Sequence, residues 1–554
     1  EGKWEIAGSK GEDDPGGSQA DPGASTSQTG PDASSTPSGS QGDISQPEPE
    51  PPVTVDVTSL TLDKSDFTLQ AGESATIQAA VVPADAEITW SSSDESAATV
   101  SPEGVVSNVN TGSSQVKVTI TATAGDKTAE CVVFCRAGGG AGSSSSGTTG
   151  TVTGAGSGLF VRSGPGSGNE AIATILEVAP LKETGRLKKL LVAGCLTQRY
   201  PDDIRAELPE VDGMLGTGSY TDVVTAVEEL MAGEHPEHFE RIDRAYDDGE
   251  RMVTTPPYTA YLKIAEGCSN GCAFCIIPKL RGRYRSRTMD SLLREARELE
   301  ARGTKELIVI AQDITRYGLD LKDGSSLAGL LKELCKLDFH WIRLHYLYPE
   351  VITDELIDVI AHEKKIVHYL DIPIQHCSDR ILKAMRRHNT RQELEELFAK
   401  LRSAIPDVVL RTSLICGLPG ETDEEFEELC EFLREQKLQR AGVFQFSPEE
   451  GTLAERMEDQ VDPETAARRV ELVVDLQSRI MDEYNEERLG TVMEVLCEGF
   501  DSQAGCFVGR TYADSVEIDG HVYFTAAGVV PAGTFVNVRI TGVSDGDLTG
   551  EVED

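Results

Sequence analysis

Gly267-Cys268-Ser269-Asn270-Gly271-Cys272-Ala273-Phe274-Cys275 follows a short predicted strand at 261–266 and decides how the rest of the chain is read. Its cysteines are spaced C-x3-C-x2-C. That is one thiolate short of the closed tetrahedral set of structural zinc, and short of the four that ordinary ferredoxin clusters recruit. Three thiolates on one short loop suffice for three irons of a 4Fe-4S cube and leave the fourth iron open to chelate a small molecule. A zinc knuckle is the competing reading, and no nearby residue completes one.

Outward from this loop, apolar strands and amphipathic helices alternate from Ala260 to about Arg488. Strands are predicted at 261–266, 305–311, 341–347, 367–372, 408–416 and 440–446, with helices such as Ser291–Arg302, Leu327–Leu337 and Arg391–Ala404 between them. Thr422-Asp423-Glu424-Glu425 reads as a capping box, each side chain satisfying the other residue's backbone donor. Six βα units in series predict a parallel sheet, here a partial, open TIM-like (βα)6 barrel over 255–488. Ligands of such barrels sit at the C-terminal strand ends, where the cysteine loop lies.

The flanks have other textures. Residues 1–52 are Gly, Ser, Pro, Asp and Gln with little to bury and are expected to be disordered. Residues 53–134 carry short alternating runs such as Val116-Lys117-Val118-Thr119-Ile120, the pattern of a β-sandwich. A Gly/Ser linker spans 135–168, and its end, Leu159-Phe160-Val161-Arg162-Ser163-Gly164-Pro165-Gly166, resembles the opening of a bacterial SH3-type repeat. An α/β segment occupies 169–250, and short strands over 489–554 predict a small all-β barrel.

Charge narrows the partners. The chain has 93 acidic against 51 basic side chains, a net charge of −42, which disfavours nucleic acid and anionic membrane and favours a basic protein. No apolar run approaches the roughly 18 residues of a membrane span. The opening Glu1-Gly2-Lys3-Trp4 has neither a starting Met nor a signal-peptide core, and is read as the start of a fragment. Nine of the twelve cysteines lie within or after the cysteine loop, which suits a reducing, cytoplasmic compartment.

The cysteine spacing, with Phe274 before the last cysteine, resembles the radical S-adenosylmethionine (SAM) superfamily. In that superfamily the open iron binds SAM and an electron from the cluster cleaves it to a 5′-deoxyadenosyl radical. Four further stretches resemble the ribosomal-protein branch of the radical SAM methylthiotransferases, the RimO type. They are Ala311-Gln312-Asp313-Ile314-Thr315-Arg316-Tyr317-Gly318, Arg343-Leu344-His345-Tyr346-Leu347-Tyr348-Pro349, Asp371-Ile372-Pro373-Ile374-Gln375-His376 and Cys416-Gly417-Leu418-Pro419-Gly420-Glu421. Val81-Val82-Pro83-Ala84-Asp85 and Ile88-Thr89-Trp90-Ser91-Ser92 resemble bacterial immunoglobulin-like (BIG) domains, and 489–554 resembles a TRAM domain.

The resemblance implies a methylthio group added to the β-carbon of an aspartate in small-subunit ribosomal protein twelve. It implies SAM, a 4Fe-4S cluster on Cys268, Cys272 and Cys275, and an electron donor such as flavodoxin or ferredoxin. Phe274, Gln312, Gln375, Arg411, Gly417 and Gly420 are the cofactor-binding candidates. All but Phe274 have a plainer reading: Gln312 and Gln375 as sheet caps, Arg411 in an internal salt bridge, and Gly417 to Gly420 as a helix-starting turn. His345 and His376 read as satisfied barrel histidines. The basic run Lys279 to Arg287 is either an exposed loop or a balance to the thiolates.

The family has a second cluster on three cysteines of its N-terminal domain, and only the last has a counterpart here, Cys195. Cys131 and Cys135 end a predicted sandwich strand and are not expected to substitute. An acidic TRAM barrel, with eleven carboxylates against Arg510 and Arg539 over 489–554, favours a basic protein over tRNA. The alternatives are tRNA adenosine methylthiolation, a surface-associated binding protein led by the BIG domain, and an inactive fusion product.

Overall fold

The computed structural model describes residues 57–135, 159–163, 168–244 and 251–553, apart from positions 65, 70–71, 84–85, 87, 112–115, 126 and 545. The expectation of disorder over 1–52, and most of the expected linker, lie outside the described residues.

Residues 57–135 form the β-sandwich. A four-stranded sheet built on the hairpin Val116–Ala124/Lys127–Cys135 faces a three-stranded one, Ser74–Thr76, Val105–Asn108 and Ala98–Val100. Alternate residues Val118, Ile120, Cys131 and Val133 point inward with Leu69, Ile77 and Val106, and Trp90 packs beside them. Cys131 and Cys135 are buried, free thiols in this core.

The α/β segment corrects one expectation. Leu159–Ser163 does not begin an SH3-type repeat. It pairs in parallel with Leu190–Gly194 in full register, Leu159 with Leu190 through Ser163 with Gly194. These two strands continue into Gly213–Leu215 and Glu237–His238, giving a four-stranded parallel sheet. The helix Gly168–Val178 supplies the crossover that a parallel pair requires. Sequence reading missed this because a short β-rich run followed by Gly and Pro fits either context.

The central domain is a six-stranded, all-parallel sheet whose spatial order equals its chain order. Its strands are β1 (Thr259–Lys263), β2 (Glu306–Ile310), β3 (Trp341–Leu344), β4 (Ile366–Asp371), β5 (Val409–Cys416) and β6 (Arg440–Gln445). β1 and β6 do not pair, so the barrel is open, as expected. Thr422 and Glu425 form the expected capping box of the helix Asp423–Gln436, and Thr390 with Glu393 forms another on Arg391–Ala404.

One face of this sheet, with Leu262, Leu307, Val309, Ile342, Leu344, Leu370 and Leu410, packs on the helices. The opposite residues line the barrel's inside and are polar as often as apolar: Glu306, Arg343, His345, Tyr369, Asp371 and Arg411 are all buried there.

The last domain accounts for this polarity. Val492–Asp501, Cys506–Arg510, Val522–Thr525, Phe535–Ser544 and Asp547–Val552 close a five-stranded barrel. Its segment 510–519 meets the inner ends of β2 to β6. Arg343 donates to the carbonyls of Thr511 and Tyr512, and Arg440 pairs with Asp514 at 2.9 Å. Tyr369 donates to Asp519 at 2.6 Å, and His345 bonds Ser515 at 2.9 Å. Trp341, Tyr369 and Val409 form an apolar contact with Leu496 and Ala513. These contacts stop up the N-terminal end of the barrel and leave the C-terminal end as its opening.

Candidate functional site

The cysteine loop springs from the short strand Ala265–Glu266 beyond β1 and is fastened at each end. Gly267 has φ +78°, and a Cβ there would lie 2.4 Å from the carbonyl oxygen of Arg283, so only glycine fits. The Cys268 amide donates to Gly282 and that of Ala273 to Met385, while the Ala273 carbonyl accepts from Leu453 and Ala454. Asn270 donates to Asp313 at 2.8 Å, tying the loop to the turn after β2. Phe274 packs with Ala273 against Ile381, Met385, Leu418 and Ala454, so its position is set by apolar packing.

Cys268, Cys272 and Cys275 are brought together at the barrel's opening. Burial pushes the Cys275 thiol up to about 12, and the charges of Cys272 and Cys268 add to the rise. Burial also raises Cys268. The three thiols therefore sense one another, and as anions they require a strongly positive partner; a coordinated metal deprotonates a thiol outright.

Among the described residues, no group of three or more His, Cys, Asp or Glu side chains converges on a point as the ligands of a single ion do. Three thiolates with no fourth protein ligand beside them among the described residues suit a cluster with one open iron better than a closed zinc site. Beside the loop, the Gln312 side-chain oxygen is buried with no partner, an unmet acceptor near the opening. The residues present thus fit a three-cysteine cluster with a polar ligand on its open iron.

Two residues that sequence reading missed sit against Cys272. The Tyr348 hydroxyl is 2.7 Å from Cys272 Sγ, and Arg387 stacks on the Tyr348 ring with its guanidinium carbon 4.0 Å from the centroid. Tyr348 lay inside a quoted motif without a role. Arg387 follows the short helix Asp379–Ala384, and nothing in its neighbours signals burial.

The remaining candidates divide. Gln375 stands in the left-handed region at φ 73°, in an isolated bridge with Leu414, so its backbone extends the sheet while its side chain is half-buried. Arg411 takes the plainer reading, its guanidinium donating to the buried Asp371 at 2.8 Å. Gly417 and Gly420 do so too. The Gly417 and Leu418 amides are held by the buried Glu421 carboxylate, and the Gly420 amide by the Asp459 carbonyl. None of these amides is left to face a ligand, because the turn must satisfy the donors at the start of the helix that follows.

His345 is satisfied by Ser515 and lies 3.5 Å from Asp371. His376 is fully buried and accepts from the Ser378 amide on Nδ1, which puts its proton on Nε2, 3.8 Å from Glu421. Burial holds its imidazole down at about 4, so it is neutral.

Four of the five basic side chains after the loop are engaged locally, while Arg283 is exposed. Lys279 donates to Gly451, Arg281 pairs with Glu266, Arg285 caps the carbonyls of Arg281 and Arg283, and Arg287 pairs with Glu295. These side chains brace the loop and are not a phosphate-binding surface.

Cys195 begins the helix Cys195–Arg199, which packs on the helix Ile277–Arg281 just past the cysteine loop. Thr217 donates to the Leu280 carbonyl in the same contact, and Arg199 pairs with Glu449. Cys195 thus faces the loop's flank, and the chain holds no cysteine between Cys135 and Cys195.

Comparison with known proteins agrees with this geometry. Residues 262–433 match the radical SAM superfamily, 489–552 the TRAM domain and 56–133 the bacterial Ig-like domain of group 2. The chain is 47% identical over 386 residues to the ribosomal protein uS12 methylthiotransferase RimO of Lachnoclostridium phytofermentans, covering 69% of this chain and 88% of that protein. It is 46% identical to the RimO of Thermoanaerobacter sp. over 69% and 87%, and 44% identical to that of Clostridioides difficile over 69% and 86%. Among solved structures, the radical SAM methyltransferase TsrM from Kitasatospora setae matches at 14% identity over 52% of this chain and 61% of that one, with a TM-score of 0.41, a likeness too slight to place a residue. The identity to three RimO enzymes over most of their length, joined to a three-cysteine loop at the mouth of an open six-stranded barrel, settles the family: the chain belongs to the RimO family of radical SAM methylthiotransferases.

Proposed function

We propose that this chain acts on the aspartate side chain of the small-subunit ribosomal protein uS12, in the cytoplasm, with a flavodoxin- or ferredoxin-like protein as electron donor. The observation that carries the reading is the one-ended barrel: its N-terminal end is stopped by an acidic TRAM domain, and its C-terminal end opens beside Cys268, Cys272 and Cys275. A protein loop would enter from the cysteine side. Of the two arginines of the TRAM segment, Arg510 is fully buried against Glu306 and Arg539 pairs with Glu553. The surface left is acidic, which suits a basic ribosomal protein and opposes an RNA phosphate backbone.

Cys268, Cys272 and Cys275 would hold the 4Fe-4S cluster, with Gln312 and Gln375 as candidate neighbours of SAM. When bound, the pair supplies a carbon radical able to take hydrogen from an unactivated C–H. The chain's own part is to fix the loop through Gly267, Asn270 and Phe274 and to shield the site from water through the stopped barrel. Cys195 is the one recognisable ligand for a second cluster, so the reading commits to a single cluster, with sulfur insertion requiring ligands beyond those identified in this chain.

The test is anaerobic reconstitution with uS12 present, following 5′-deoxyadenosine. The reading expects formation that depends on uS12 and on Cys272. Stimulation by tRNA in place of uS12 would overturn the choice of substrate.

A further inference from the structure

Eight arginines are buried among the described residues: Arg287, Arg343, Arg387, Arg411, Arg440, Arg469, Arg479 and Arg510. Seven pair with a carboxylate: Arg287 with Glu295, Arg343 and Arg510 with Glu306, Arg411 with Asp371, Arg440 with Asp514, Arg469 with Glu421 and Arg479 with Asp475. Arg387 does not. It is 4% exposed, its Nη2 donates to the Pro373 carbonyl at 2.6 Å, and its Nε is buried with no partner. Its remaining nitrogen, Nη1, lies 3.9 Å from Cys272 Sγ.

A guanidinium cannot shed its proton, and a buried charge without a counter-charge is costly. The Tyr348 ring beneath it contributes a cation–π contact, which offsets only part of that cost. What the arrangement lacks is an anion, and the nearest group that becomes one is the Cys272 sulfur on taking up iron.

We propose that Arg387, stacked on Tyr348, is the buried counter-charge of the iron–sulfur cluster, and that the pair raises the cluster's reduction potential through Cys272. The inference rests on the radical SAM reading above. Its physics is general: positive charge and hydrogen bonds at a ligating sulfur favour the reduced, more negative cluster. The electron itself comes from an external low-potential one-electron reductant, and Arg387 and Tyr348 keep their protons throughout. Both are positioning residues, acting through Cys272.

The test is a reductive titration of the full-length reconstituted chain, read by the electron paramagnetic resonance signal of the reduced cluster, with iron and sulfide counted in each sample. Arg387→Met should shift the midpoint to more negative potential, Arg387→Lys should stay near the parent, and Tyr348→Phe should shift in the same direction by a smaller step. Loss of iron in R387M with retention in R387K also supports the proposal, since the charge is then needed to keep the cluster at all. An unchanged midpoint in R387M at parental iron content overturns it. Equal iron loss in R387M and R387K overturns it too, by reducing Arg387 to packing. Failure of the parent chain to bind iron would instead sink the underlying reading, and this proposal with it.

Discussion

Glu306, the first residue of β2, and Arg510, on the second strand of the TRAM barrel, are 204 residues apart in sequence and 2.7 Å apart in the fold. Arg343 completes the group from β3, 2.8 Å from the same carboxylate, and all three side chains are fully buried. Burial alone would raise the Glu306 carboxyl, but the two guanidinium groups override it and hold it down at about 2. The barrel's stopper is therefore fixed by charge as well as by apolar contact.

Removing that charge should loosen the stopper. Glu306→Gln leaves two buried guanidinium groups facing a neutral amide, a loss of about 3–5 kcal/mol. Urea denaturation of the full chain should show the midpoint fall, whereas Arg539→Gln, in a half-exposed pair with Glu553, should cost less than about 1 kcal/mol. Equal effects from the two variants would refute the assignment.

Acid should act in two stages. His376 has its folded pKa depressed from 6.5 to about 4, so the unfolded chain binds more protons between those values. Stability therefore falls as pH drops from 6.5 to about 4, by ~3 kcal/mol from this group. Glu306, held at about 2 against an ordinary 4.5, loses its contribution from 4.5 down to about 2. Unfolding followed against pH should lose the first stage in His376→Gln, relative to that variant's own stability at neutral pH. An unaltered profile would count against a neutral, buried His376.

The cysteine loop tolerates no side chain at its start. Gly267→Ala forces a left-handed residue against the Arg283 carbonyl, at a cost on the order of 1–3 kcal/mol. Iron uptake after reconstitution should drop several-fold while the circular dichroism of the folded chain stays near parental. Full iron loading in this variant would show that the loop is not built as described.

Much of this was legible in the sequence because period and spacing are local. The strands of the barrel, the capping box at Thr422 and the cysteine loop come from runs of fewer than twenty residues, and the structure places them close to where the pattern put them. What was not legible depends on distant partners. Arg411 has the same flanks whether it meets a ligand or Asp371, and only the packing of β4 on β5 decides. Gly417 and Gly420 looked like a ligand cradle until Glu421 and Asp459 took their amides. Leu159–Ser163 became an edge strand through a partner thirty residues on, and Arg387 gave no signal because its missing carboxylate is a fact about space.

The most direct measurement is anaerobic reconstitution of the full chain with iron and sulfide counted and SAM cleavage followed. The account predicts roughly four irons per chain, 5′-deoxyadenosine on reduction with uS12 present, and loss of both in Cys272→Ala with Cys195→Ala unchanged. No bound iron, or cleavage that survives the loss of Cys272, would contradict it.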